Sequence, residues 1–252
     1  RMLTDSRQPG DDMPRYARPS NALAFAAAFT AALAHSAGVS WPLPIGFSAG
    51  QSLWWLQCLA LTALVCLLHR CRTLTQAAGI GLVFATTWLC ATFWWLYISM
   101  HVYAGLNSVL TALAILLLAA ALGLYYAGAS ALYWHLKSNK PWLDSLLFAA
   151  LWTAAEMARG TWLTGFGWGA VGYAQVDGPL ATFVPWLGSY GVGALAAWVA
   201  SAIVHCIQGG VALRLLLAVL IGGGLLLPLA PIQWSQSTGN LSVTLLQGNI
   251  PQ

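Results

Sequence analysis

The sequence predicts an all-α polytopic membrane domain of about seven transmembrane helices, with a β-strand starting a second, soluble unit at the C-terminal end. Three observations carry this. The chain is 59% hydrophobic and only 6% charged, where an ordinary soluble domain has roughly a quarter of its residues charged. Its apolar residues gather into runs of membrane-crossing length, and mean hydropathy reaches +0.72. Its ten Lys and Arg fall between those runs in an alternating pattern. This composition excludes a single soluble domain, a disordered chain and a disulfide-rich secreted scaffold.

A bilayer core takes about 20 mostly apolar residues per helix. Seven runs meet that need: Asn21–Ala37, Leu53–Leu68, Ala77–Tyr97, Asn107–Leu132, Trp142–Met157, Tyr190–Val204 and Leu213–Leu229. The first is short and Ala-rich. A polar tail, residues 1–20, precedes it, so it is not read as a cleaved signal peptide. Arg1, Arg7, Arg15 and Arg18 lie in that tail; Arg70 and Arg72 follow the second run, Lys137 and Lys140 the fourth, and Arg214 the sixth. All nine fall on one side, which the positive-inside rule makes cytoplasmic. Segments 38–52, 99–106 and 161–189, on the other side, contain no Lys or Arg. Seven spans with a cytoplasmic N-terminus put the C-terminal end outside.

Arg159 is the one basic residue left over. Glu156 precedes it by three positions, so both project from one face of the fifth helix near its outer end. A charge at the bilayer centre costs about 2.5–3.5 kcal/mol on insertion scales, and such groups pair or face a cavity. The favoured reading is a local ion pair; the alternative is a polar anchor for the loop that follows.

That loop, 161–189, reads TWLTGFGWGAVGYAQVDGPLATFVPWLGS, with Asp177 its only charge. Glycine supplies backbone freedom and Trp suits the membrane–water boundary. So apolar a segment is expected to lie across the outer membrane surface or to pack on another domain; an interfacial re-entrant segment is the plainer alternative. Beyond the seventh run, Pro228 and Pro231 end the helix. A linker, 232–240, follows. Leu241, Val243 and Leu245 then alternate with Ser242 and Thr244, the period of a half-buried strand. A lone strand is not stable without partners, so the chain looks truncated at Gln252.

Other chemistry is thinly represented. No stretch has the basic and aromatic interleaving of a nucleic-acid surface. Cys58, Cys66, Cys71, Cys90 and Cys206 show no paired spacing and read as small buried hydrophobes. His35 reads as a tolerated helix-end residue, and His69, His101, His135 and His205 share no metal-site spacing. Neither a metal nor a cofactor is expected.

The stretch EMARGTWLTGFGWGAVGYAQVDGPL, followed by a last span and LQGNIPQ, resembles the bacterial apolipoprotein N-acyltransferase family. Its pattern E-x-x-R-G-x-x-L-T-G-F-P-W-x-x-x-G-Y-x-Q is matched by Glu156, Arg159, Gly160, Leu163, Thr164, Gly165, Phe166, Trp168, Gly172, Tyr173 and Gln175. The V-Q-G-x-I-P-Q opening of the family's hydrolase domain is matched by Gln247, Gly248, Ile250, Pro251 and Gln252, with Leu246 at the Val position. FWWLYIS at 93–99 is also similar. Gly167 stands at the pattern's Pro. LAHSAGVSWP departs from L-A-F-x-P-x-x-x-W-P at His35 and Ala37.

The resemblance implies a membrane domain (21–231) joined to an outward-facing carbon–nitrogen hydrolase, or nitrilase-like, α/β domain beginning at 241–252. It implies transfer of an acyl chain from a membrane phospholipid to the α-amine of a diacylglyceryl-cysteine apolipoprotein, the last step of lipoprotein maturation at the bacterial inner membrane. A Cys nucleophile, a Glu base and a Lys at the oxyanion would all lie beyond the equivalent of Gln252, so this chain alone is expected to be inactive. Within it, Glu156, Arg159, Gly160, Trp162, Phe166, Trp168, Tyr173 and Gln175 are the candidate substrate-side or membrane-surface residues. A non-catalytic scaffold or small transporter is the alternative. Against a transporter, no span carries a string of ionisable residues and no inverted repeat of broken helices is evident.

Overall fold

A computed structural model describes residues 20–138, 140–206, 210–229 and 238–246. Among the described residues, seven long helices overlap the seven expected runs with shifted ends: α1 (Asn21–Val39), α2 (Trp54–Arg70), α3 (Leu74–Thr92), α5 (Ser108–Leu136), α6 (Pro141–Thr161), α7 (Val184–His205) and α8 (Gly210–Leu226), with a short α4 (Trp95–Tyr97) between α3 and α5. Several of their starts are locally encoded. The Ser20 hydroxyl accepts from the Leu23 N–H, Thr73 from Gln76, and the Asn107 side chain from Val109 and Leu110, satisfying donors that a helix leaves open. Pro141 opens α6, where its missing N–H costs nothing.

Among the described residues, five helical segments are long and apolar enough to cross a membrane: Asn21–Val39, Leu74–Thr92, Ser108–Leu136, Pro179–His205 and Gly210–Leu229. α2 is apolar but has 17 residues, and α6 carries Asp144, Glu156 and Arg159. All three of those charged side chains are buried within the bundle, so α6 does not offer them to its surroundings.

Six of the long helices close a ring in which α2 packs on α1, α1 on α3, α3 on α5, α5 on α6, α6 on α7, and α7 on α2. The α3–α5 seam is the most extensive, because small residues let the backbones close up: a Cβ on Gly81 would run into Ser130 and Tyr126, and one on Gly123 into Thr86. Aromatic rings fill the centre. Trp88 and Trp152 stack at 5.9 Å, with Tyr126, Phe84 and Phe148 around them. Leu113, Leu116, Leu117 and Leu124 of α5 point outward and are exposed, an apolar outer face of the kind a membrane-spanning helix turns to lipid. α8 stands outside the ring against the Pro179–Phe183 turn.

The two ends differ in chemistry. At one end lie Arg70, Arg72, Lys137, Lys140 and Arg214. There His69 bonds the Tyr133 hydroxyl at 2.8 Å and its ring lies 4.9 Å from that of His205. The other end holds the segments without Lys or Arg.

Several expectations need correction. The third run was expected to continue to Tyr97, but α3 stops at Thr92 and the chain turns through α4 into a π-helical segment, Ile98–Tyr103. The sixth begins earlier than Tyr190: α7 starts at Val184 and kinks at Gly188, whose φ of 64° suits only glycine. Residues 241–246 form no strand. Leu241, Val243 and Leu245 are exposed, and among the described residues there is no other strand to pair with them. His35 does lie near the end of α1, and it is fully buried there, 4.6 Å from the Trp88 ring and 5.4 Å from Phe84. Arg1, Arg7, Arg15, Arg18, Pro231, most of the linker, and Gln247 through Gln252 lie outside the described residues.

Candidate functional site

The loop between α6 and α7 closes the uncharged end of the ring. Val171, Gly172, Ala174 and Gln175 form a 3-10 turn that is buried against α1, α2 and α7. The segment therefore plugs the mouth of the bundle, and its backbone polar groups must find partners there. The last turns of α6 supply them.

Arg159 is 1% exposed. Its Nη1 donates to the carbonyls of Phe166 at 2.6 Å and Trp168 at 2.8 Å, while Nε donates to the Tyr126 hydroxyl at 3.0 Å. The guanidinium lies 5.6 Å above the Trp88 ring, a favourable placement for a desolvated cation. One turn back, Glu156 accepts the Val171 N–H through Oε1 at 2.8 Å. Apart from the Arg159 bond to Tyr126 on α5, these hydrogen bonds of the two charges go to the loop, so the favoured expectation of a local ion pair gives way to the polar-anchor alternative. The reason is geometric: the loop folds back over the helix end that carries them, bringing two carbonyls and one amide within reach.

Further clips hold the plug. Gln175 Nε2 donates to Gln57 Oε1 at 3.0 Å, joining the loop to α2 in a buried amide pair. The Ser52 hydroxyl donates to Asp177 at 2.7 Å, and Thr182 donates to the Gly224 carbonyl of α8 at 3.0 Å. Gly160 and Gly172 permit close approach: a Cβ on the first would meet the Tyr190 hydroxyl, and one on the second the Ser189 carbonyl.

The eight expected residues thus divide in two. Glu156, Arg159, Gly160, Phe166 and Gln175 are anchors; the Phe166 ring also packs edge-on to Phe93 at 4.8 Å. Trp162, Trp168 and Tyr173 are 64%, 60% and 49% exposed and form an outward aromatic rim, with Trp168 against Trp95 and Trp162 against Tyr125. Between the groups, Leu163 and Thr164 have φ of 53° and 75°, and Leu163 is 91% exposed. An apolar side chain held outward on a strained backbone is a local cost that the anchors sustain.

Sequence reasoning missed Gln57, Tyr126, Trp88 and Ser52. Gln57, alone among apolar neighbours in WWLQCLAL, was the available signal. The other three contribute only through positions brought together by folding. Among the described residues, no three His, Cys, Asp or Glu side chains gather as a metal site. The five cysteines are all free, with Cys58 and Cys71 buried.

A family model described as the apolipoprotein N-acyltransferase N-terminal domain matches residues 37–202. The chain is 42% identical over 251 residues to the apolipoprotein N-acyltransferase of Verminephrobacter eiseniae (strain EF01-2), an alignment covering 93% of this chain and 46% of that relative. It is 40% identical over 235 residues to that of Ralstonia nicotianae, covering 89% and 43%, and 40% identical over 202 residues to that of Nitrosomonas europaea, covering 77% and 39%. The chain therefore spans less than half the length of the relatives it matches.

Proposed function

The chain belongs to the apolipoprotein N-acyltransferase family, and on that premise we propose that it is the membrane portion of such an enzyme. It crosses the bacterial inner membrane seven times with its N-terminus in the cytoplasm. The plugged end of the ring faces the periplasm, where a carbon–nitrogen hydrolase domain completes the protein from about residue 241. The whole enzyme transfers an acyl chain from a membrane phospholipid to the α-amine of a diacylglyceryl apolipoprotein. Covalent catalysis by a Cys, Glu and Lys set of that hydrolase domain splits the transfer into two easier steps.

The observation that carries this reading is the loop pinned by Glu156 and Arg159. A membrane domain that only filled space would not need two buried charges to hold a surface loop. Here they support a rigid floor whose exposed rim, Trp162, Trp168 and Tyr173, meets the hydrolase domain and the lipid substrates at the interface. Glu156 and Gln175 act as positioning residues, since both are buried beneath that floor.

The test joins this chain to the C-terminal region of the Verminephrobacter relative and measures transfer of labelled acyl groups from phosphatidylethanolamine to a diacylglyceryl-cysteine peptide. Transfer that depends on both parts supports the reading. A folded, membrane-inserted chimera that transfers nothing overturns it in favour of a non-catalytic scaffold.

A further inference from the structure

A cavity of about 540 Å³ opens beside the plug, between the ends of α1 and α3 and the loop at 40–50. Its volume falls in the usual range for a small-molecule site, roughly 300–1,000 Å³. The wall runs from Leu33 on α1, past Ser36, to Trp41 of the loop, and across to Ala91, Thr92 and Trp94 at the end of α3. The loop is held over it by backbone bonds between Trp41 and Gln51 at 2.9 Å and between Gly50 and Trp41 at 2.8 Å. The Trp41 indole donates to the Ile45 carbonyl at 3.1 Å.

The chemistry of this wall is selective. No charged side chain lines it, and segments 38–52 and 99–106 contain no Lys or Arg, so nothing there grips a phosphate by charge. Thr92 donates its hydroxyl proton to the Trp88 carbonyl at 2.9 Å, which leaves the Ser36 hydroxyl as donor in the Ser36–Thr92 bond at 3.2 Å. Both protons are used within the wall, and apart from Ser40 the cavity offers mainly apolar surface. Its depth fits the membrane. Leu33, 44% exposed, lies six residues below the end of α1 at Val39, about 9 Å at 1.5 Å per residue. Trp94, 61% exposed, stands at the rim.

The geometry points to a binding site for one acyl chain of a membrane lipid, its tail along Leu33 and its ester region beneath Trp41 and Trp94. This rests on the family reading for the class of lipid and adds a place for it. The cavity also touches the pinned loop, because Gly169 packs against Thr92 so closely that a Cβ would stand 2.7 Å from its methyl group. A chain seated there lies against the segment that Arg159 holds.

The experiment uses this chain in nanodiscs containing phosphatidylethanolamine with a diazirine near the end of one acyl chain, followed by irradiation and peptide mapping. Adducts are expected to concentrate on the peptides containing Leu33–Trp41 and Ala91–Trp94. Ala91→Trp fills the cavity and reduces them several-fold; Ala49→Trp, on the exposed loop, does the same without altering a helix. Leu117→Trp, on the lipid-exposed face of α5, leaves them unchanged. Adducts spread evenly over all exposed helix faces, or undiminished in both filling variants, overturn the assignment. The readout needs no catalysis, so an inert chimera with site-specific adducts would sink the family function alone.

Discussion

Arg159 and Phe166 hold each other in both directions. The Phe166 N–H donates to the Arg159 carbonyl at 2.7 Å, and the Arg159 guanidinium donates to the Phe166 carbonyl at 2.6 Å. One bond fixes where the chain leaves α6, and the other fixes where it returns. The residues between them are thereby forced into a tight excursion, with Leu163, Thr164 and Gly165 all at positive φ. The exposed tip and the buried anchor are two parts of one device.

Removing the guanidinium should release the loop. Arg159→Ala leaves the Phe166 and Trp168 carbonyls and the Tyr126 hydroxyl without their donor, at a cost of about 1–3 kcal/mol for each buried group left unsatisfied. Arg159→Lys is not conservative, because one ammonium cannot reproduce a planar fork that serves two carbonyls and a hydroxyl. Tyr126→Phe loses a single hydrogen bond and should cost about 1–3 kcal/mol. Thermal unfolding in detergent gives the order, and limited proteolysis should show new cleavage within 161–175 for both Arg159 variants. Wild-type cleavage patterns in Arg159→Lys would contradict the anchor.

The two close-packed glycines should respond differently to a methyl group. Gly160→Ala meets the Tyr190 hydroxyl, the end of a side chain, whereas Gly172→Ala meets the Ser189 backbone carbonyl. Overpacking of this kind costs about 1–3 kcal/mol where neighbours yield. Adding Tyr190→Phe should recover much of the loss in Gly160→Ala. The same second change should leave Gly172→Ala as unstable as before. Melting temperatures of the single and double variants decide it.

Trp168→Ala separates floor from rim. Arg159 holds the Trp168 carbonyl, which the substitution retains, and the lost ring contact is with Trp95 at 5.8 Å. Stability should fall by no more than about 1 kcal/mol, while acyl transfer by the chimera should drop. Expression and turnover measured on the same samples distinguish a rim that meets substrate from one that merely aids folding.

None of the five cysteines should form an acyl-enzyme. The nucleophile in such chemistry is a thiolate beside a base, yet burial pushes the Cys71 thiol up to about 11, against the lowering pull of Lys137. A raised thiol stays protonated at neutral pH, so its alkylation in the folded protein should climb about tenfold per pH unit towards that value. Incubation of this chain with labelled phospholipid should give no hydroxylamine-sensitive acyl-protein. Label that hydroxylamine releases would reveal a nucleophile among Cys58, Cys66, Cys71, Cys90 and Cys206.

Much of the helical frame was legible because apolar runs and interspersed cations state it directly. Boundaries were harder. FWWLYIS contains no Gly or Pro to mark the break after Thr92, so the turn into α4 left no local sign. Glu156 and Arg159 stood out as charges in an apolar helix, but backbone carbonyls and amides carry no residue-type signature, and their true partners were hidden for that reason. Gln175 finds Gln57 on another helix, a pairing that spacing along the chain does not encode. The alternation at 241–246 is a real pattern, but a strand is a relationship between two segments.

The central claim is that the loop pinned by Arg159 faces the periplasm while Arg70, Arg72, Lys137 and Lys140 face the cytoplasm. Sidedness of labelling tests it most directly. In a version with the five native cysteines replaced, Val176→Cys places a thiol on the loop at a site 65% exposed, and Thr75→Cys places one at the opposite end, in the first turn of α3. With a membrane-impermeant maleimide on intact spheroplasts, the thiol at 176 should be modified at once and the thiol at 75 only after permeabilisation. The reverse pattern would put the loop in the cytoplasm, away from any outward-facing hydrolase domain, and would contradict the account.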